Sequence, residues 1–259
     1  MKRTVDMEPF DWPTFLRDLS DLLLENDAAA FAEYDIYQIP EEYHMRGYLG
    51  YPGASEEQIA AAEARLGAEF LRKTHLRKAR GANRSHLRPK GAPNGTIRSF
   101  GIPCNLSIIS LRRTIRTHGL KLPASYRAFL KASNGWGHMG VTSPGKLWST
   151  DKIEWLWVRH QEIIDLWRNP ADDEETPEEH LAARDRGSSV GYRGAYIKHC
   201  LEISDWGDAC ILFLCPEVVT LDGEWECWHL ASWYPGAART ASFQEWFERR
   251  AAFERRQND

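Results

Sequence analysis

The alternation of apolar and polar positions divides the chain into helices first, strands later and a helix to close. Asp11-Trp12-Pro13-Thr14 opens the first helix, with proline in the first turn where its missing N–H costs nothing. Phe15, Leu19, Leu22 and Leu23 then form one stripe at helical spacing, ending near Asn26. Ser55-Glu56-Glu57-Gln58 reads as a capping box, and its helix runs through Ile59 to Leu66 with Gly67 as a C-terminal stop. Leu122-Pro123-Ala124-Ser125 begins another short helix, which ends at Asn134-Gly135, residues that accept positive φ cheaply. Strands are predicted over Ile153–Val158, at Tyr196-Ile197, over Ala209–Leu214 and over 225–233, with a short helix over 161–167. In the last strand Trp225, Cys227 and His229 alternate with Glu226, Trp228 and Leu230, which puts bulky residues on both faces. Ser242-Phe243-Gln244-Glu245 is a second capping box, opening a helix through Trp246, Phe247 and Phe253. This order predicts an α+β fold with a mostly antiparallel sheet, flanked by N-terminal helices and a C-terminal helix.

Composition changes that picture in one place. The 259 residues carry a net charge of −4, yet residues 70–119 hold 12 of the 33 Lys and Arg and none of the 37 Asp and Glu. The remainder is therefore strongly acidic, at −16. Of the 11 Trp, none lies in that window and ten follow Gly119. Its Arg, Gly, Pro and Ser content over 77–93 predicts a disordered, solvated insertion, with only Ile102–Ile115 apolar enough to pack. No run reaches the roughly 18–20 apolar residues of a membrane span, and the N-terminus lacks the apolar core of a signal peptide. The expected location is cytoplasmic, with no membrane partner.

Chemical motifs are sparse. Cys104, Cys200, Cys210, Cys215 and Cys227 form no C-x-x-C pair and read as buried thiols, so neither a metal nor a cofactor is expected. The acidic run from Asp172 to Glu179 reads as a solvated surface. Gly187-Ser188-Ser189-Val190-Gly191 satisfies G-x-S-x-G, which would make Ser189 the nucleophile of a serine hydrolase. The elbow needs an apolar strand before the serine and a helix after it; Arg184-Asp185-Arg186 and Tyr192-Arg193-Gly194 stand there instead. The basic window could attract phosphate, but it lacks the interleaved aromatic platform of a single-strand binder, which argues against nucleic acid.

With the window removed, Tyr51-Pro52-Gly53-Ala54-Ser55-Glu56-Glu57-Gln58-Ile59 and Ala62 to Gly67 run nearly into Leu122 to Trp136. That joined string resembles the opening motif of the SUKH superfamily, which includes fungal Smi/Knr cell-wall assembly regulators and bacterial toxin-immunity proteins. Gly207-Asp208, Gly223-Glu224-Trp225-Glu226-Cys227-Trp228, Ala231 to Ala237 and Ser242 to Trp246 look like the family's C-terminal half. The resemblance implies an α+β interaction module, with no shared cofactor or catalytic residue. It implies one SUKH-like domain over 48–250, interrupted at 70–119, with a helical extension over 1–47 and a polar tail over 251–259. The interruption is either a surface insertion, cheap because closure entropy grows only logarithmically with length, or translated intervening sequence, which the abrupt loss of acids and Trp favours.

The function expected is non-enzymatic binding of other proteins, as a cell-wall-assembly or signalling regulator-like scaffold; a toxin-neutralising binder is the alternative, and a Ser189 hydrolase the weaker one. The acidic body would favour basic partners by steering. Candidate partner-binding residues are Asn134, Gly135, Trp136, Trp155, Asp208, Glu224 and Trp233, with Trp136, Trp155 and Trp233 expected around an exposed cleft.

Overall fold

A computed structural model of the chain describes residues 10–33, 52–81, 108–137, 144–167, 193–207, 209–233 and 236–257. Its helices are α1 (Trp12–Glu33), α2 (Glu56–Gly81), α3 (Ile108–His118), α4 (Ala124–Ala132), α5 (Leu156–Arg159), α6 (Gln161–Trp167), α7 (Gly194–Ile197) and α8 (Phe243–Gln257). Its strands are β1 (Glu154–Trp155), β2 (Leu201–Glu202), β3 (Cys210–Val219), β4 (Trp225–Ala231) and β5 (Ala237–Thr240).

The five strands form one antiparallel sheet in chain order, β1-β2-β3-β4-β5. Side chains alternate along each strand, so the register assigns the two faces. Glu154, Glu202, Phe213, Trp228 and Arg239 share one face, and Trp155, Leu201, Leu214, Cys227 and Thr240 share the other. β3 and β4 are buried along nearly their whole length, which explains why their sequence shows no clean polar stripe. His229, on the Cys227 face, meets Trp246 of α8 at 6.1 Å. Beyond it lies an aromatic cluster from three helices: Trp12–Phe247 at 5.4 Å, Tyr126–Phe243 at 4.8 Å and Phe129–Phe243 at 5.0 Å. α1, expected as an appendage, thus contributes Trp12, Leu16, Leu19 and Leu23 to the same core.

Both capping boxes form. Ser55 Oγ accepts from Gln58 N at 3.2 Å, and Gln58 Oε1 accepts from Ser55 N at 2.8 Å. Ser242 Oγ accepts from Glu245 N at 3.1 Å, while the Glu245 carboxylate reaches back to Ala241 N at 2.7 Å.

Other expectations are corrected. α2 does not stop at Gly67 but continues to Gly81. A Cβ at Gly67 would stand 3.3 Å from Leu120 Cβ and 3.4 Å from Ile115 Cγ2, so this glycine permits a close helix crossing rather than a termination. Three residues on, Phe70 is fully buried, and Ile115 of α3 is buried while Arg113, Thr114, Arg116, Thr117 and His118 face solvent. Both ends of the basic window therefore belong to helices, and each contributes a side chain to the core.

The strand expected over Ile153–Val158 contracts to Glu154–Trp155, because the chain turns into α5 and stacks Trp157 on Trp155 at 4.8 Å. Tyr196-Ile197 lies in α7, and the strand follows it as β2. β3 extends to Val219 through Pro216, where the missing N–H coincides with a register shift between Cys215 and Val219. β5, composed of Ala237-Ala238-Arg239-Thr240, has no aromatic and a single β-branched residue, Thr240, and so carries little of the signal that marks a strand. α8 carries the helix expected through Phe253 on to Gln257, with Ala251 and Glu254 buried and Glu254 Oε2 accepting from Asn26 Nδ2 of α1 at 2.7 Å.

Candidate partner-binding face

Glu202, in the two-residue β2, is 1 % exposed, and a lone buried carboxylate is costly unless donors gather around it. The local fold supplies them. Trp148 N donates to Ile203 O at 2.8 Å and Leu147 bridges to Ser204, which lays the 144–149 segment alongside β2. Trp148 Nε1 then reaches Glu202 Oε1 at 3.2 Å. α5 turns back directly after β1, so Arg159 Nη1 donates to the same oxygen at 2.9 Å and His160 Nε2 lies 3.3 Å from Oε2. The Arg159 guanidinium also covers the Trp148 ring at 5.5 Å, with Lys152 Nζ at 5.6 Å.

This fixed base carries an exposed aromatic edge. The His160 ring stands 6.2 Å from Trp206, which is 37 % exposed, and Val158 on α5 is 48 % exposed. Asp205 N donates to Lys146 O at 2.9 Å and Asp205 Oδ1 accepts from Lys146 N at 2.5 Å, pinning the loop before Trp206. Gly207 has no room for a side chain, since a Cβ there would fall 1.9 Å from Gly145 N. Cys210 pairs with Ala231, and Ser232 N donates to Ala209 O at 3.1 Å. Trp233, 50 % exposed, therefore lies at the same end of the sheet as Trp206. Two accessible indoles at one end of the sheet, Trp206 against this mixed-charge base, offer large contact area at little entropic cost. Among the described residues, no group of three or more His, Cys, Asp and Glu could hold a metal ion, and no helix is long and apolar enough to cross a membrane.

The sequence model of the SMI1 / KNR4 family (SUKH-1) matches residues 106–249, more than half of the chain. The chain belongs to this family. No curated protein and no solved structure matches it. The SUKH-1 match begins inside the basic window, so it includes α3 and runs through the whole sheet into α8.

Within the SUKH-1 fold most of the residues expected to contact a partner make hydrogen bonds inside the chain or are buried. The expected exposure of Trp136 and Trp155 is corrected: they are 2 % and 0 % exposed. Trp136 exchanges backbone hydrogen bonds with Leu147, and the Trp155 indole donates to Leu66 O at 2.8 Å. Asn134 Oδ1 accepts from Thr150 N at 2.8 Å, and Asn134 N donates to Pro52 O at 3.1 Å. Gly135 has φ of 107°, a left-handed conformation that favours glycine, as the sequence suggests. Glu224 is buried and accepts from Ser125 N at 2.8 Å and Ser125 Oγ at 2.5 Å, so it caps α4 from across the β3–β4 turn. Trp233 is exposed as expected. Asp208 and Ser189 lie outside the described residues.

Sequence reasoning missed Trp148, Arg159, His160, Glu202 and Trp206. Asp205-Trp206-Gly207 between two predicted strands was the available signal, a large aromatic beside a loop glycine. The groups around Glu202 come from two separate segments, both distant from it in the chain, and leave no spacing to read.

Proposed function

We propose that this SUKH-1 chain is a non-enzymatic protein-interaction module, a regulator-like scaffold of the cell-wall-assembly or signalling kind acting in the cytoplasm. It holds partner proteins on the sheet end that carries Trp206 and Trp233. The observation that carries this reading is the exposure of those two indoles beside strands that are otherwise buried. The acidic balance outside 70–119 suits basic partners, whose approach it would accelerate at low salt.

Quantitative affinity capture with the intact chain and with a Trp206→Ala, Trp233→Ala double variant tests the proposal. The expected result is a reproducible set of proteins, enriched in basic ones, that the folded double variant loses and that added salt weakens. Identical capture by both proteins would overturn the assignment of this face.

A further inference from the structure

The pairing of β2 with β3 sets Leu201 opposite Leu214 and Glu202 opposite Phe213. Extended one step back beyond β2, the same register sets Cys200 opposite Cys215. Ile203 N donates to Leu212 O at 3.1 Å, while Leu212 N turns to Ser204 Oγ at 2.9 Å; the one bond sets the phase of the ladder and makes Leu201–Leu214, two residues along, the hydrogen-bonded type. Cys200–Cys215 then falls on the alternate, non-hydrogen-bonded type. The backbone of Cys200 agrees: its N–H goes to Ile197 O at 3.1 Å and its carbonyl accepts from Leu156 N at 3.0 Å, both away from β3. Such pairs bring Cα atoms to about 4.5 Å with side chains at their closest. That spacing lies inside the window of about 4.4–6.8 Å that a disulfide requires.

The thiols meet accordingly. Cys215 is within hydrogen-bonding reach of Cys200, and both are free and fully buried. No other pair among the four described cysteines shares this relation. Cys210 faces Ala231, and Cys227 faces Leu214 and Thr240.

We infer that Cys200 and Cys215 are a redox modification site, closing to a cross-strand disulfide when the protein meets a peroxide. One thiolate attacks the peroxide O–O bond, becomes a sulfenic acid and releases hydroxide, which takes up the thiol proton as water. The second sulfur attacks the first, the S–O bond breaks and a second water leaves. Two thiols and one hydrogen peroxide thus give one disulfide and two waters, each sulfur losing one electron. Burial shields both sulfurs and pushes the Cys215 thiol well above its usual range, so the reaction follows local opening of the short α7–β2 turn and is slow. Once closed, the bond staples β2, and with it Glu202, to the centre of the sheet.

The test exposes folded full-length protein to hydrogen peroxide, blocks remaining thiols with N-ethylmaleimide, and maps peptides by mass spectrometry without reduction. Expected are a linked peptide pair containing Cys200 and Cys215, and a melting temperature raised by about 5–10 °C that dithiothreitol reverses. Cys200→Ser and Cys215→Ser should each abolish the link. A disulfide through other cysteines, only sulfinic and sulfonic acids, or both thiols still open to alkylation after unfolding would overturn the inference. The wild-type peptide map decides this even if a serine variant fails to fold.

Discussion

Truncating Phe70 asks whether the basic window is part of the fold. Its ring is fully buried and lies 5.3 Å from Trp155, 5.8 Å from Trp157 and 6.4 Å from His199. A buried Phe→Ala change costs about 3–5 kcal/mol, from lost transfer energy plus the cavity left behind. Three ring neighbours, each pair worth roughly 0.5–1.5 kcal/mol beyond burial, put Phe70→Ala in the upper half of that range. Two of those neighbours are stacked on each other and anchored to the sheet edge, so the site cannot collapse to fill the space. Urea unfolding followed by circular dichroism should show a loss of about 4 kcal/mol, with the melting temperature lower by about 8–16 °C. Tryptophan emission should shift to the red as water reaches Trp155 and Trp157. A loss under about 1 kcal/mol would refute the reasoning. It would mean that α2 beyond Gly67 is dispensable, as expected of translated intervening sequence.

Glu224→Ala should cost about 2–3 kcal/mol in urea unfolding, because it leaves Ser125 N and Oγ buried without their acceptor; a cost under about 0.5 kcal/mol would return Glu224 to the surface as a free binding residue. Gly53→Ala should prevent accumulation of folded protein, since its Cβ would fall 1.7 Å from Lys131 O; a soluble variant with unchanged melting temperature would contradict this packing. Stability should depend on pH through two groups of opposite sign. Burial, with Arg250 nearby, lowers His229 to about 4, so its contribution is full above 6.5 and is lost, by about 3 kcal/mol, as pH falls toward 4. Burial raises Glu217 to about 8, so its folded form holds a proton that the unfolded chain releases, and stability falls as pH rises from about 4.5 to 8. Urea midpoints should therefore be level between about 4.5 and 6.5 and decline on either side, and Glu217→Gln should remove the alkaline decline; a decline that persists in that variant would exclude Glu217 as its source.

Local signals in the sequence were reliable where the physics is local. A capping box needs only two side chains and the backbone between them, and both boxes form at the residues that announce them. The last strands likewise alternate bulky residues on both faces, and both faces are buried. Errors arose where a tertiary contact redefined a residue. Gly67 looks like a terminator because glycine commonly ends helices, yet the contact at Leu120 and Ile115 gives it another reason to be small. Nothing within the preceding helix distinguishes those two uses, because the partner atoms lie some fifty residues away in the chain. Tyr196-Ile197 and Ile153–Val158 failed for a related reason. Short apolar runs satisfy strand and helix alike, and the register with Cys200 and Leu201 decided between them.

The same distinction explains why tryptophan count is a poor guide to which indoles are exposed. Trp is enriched at interfaces because it is large and rigid, and those properties also make it valuable inside a core. Trp136 stands among motif residues that build the local structure: Asn134 and Gly135 shape the turn, Trp136 fixes it to Leu147, and Glu224 caps α4. Residues kept together in sequence by such a motif serve one local construction. Trp206 and Trp233 instead come from two loops that meet only because Cys210 pairs with Ala231. The proposed face joins Trp233, a motif residue, to Trp206, which lies just outside the motif, so exposure after the core is filled groups the two where motif membership does not.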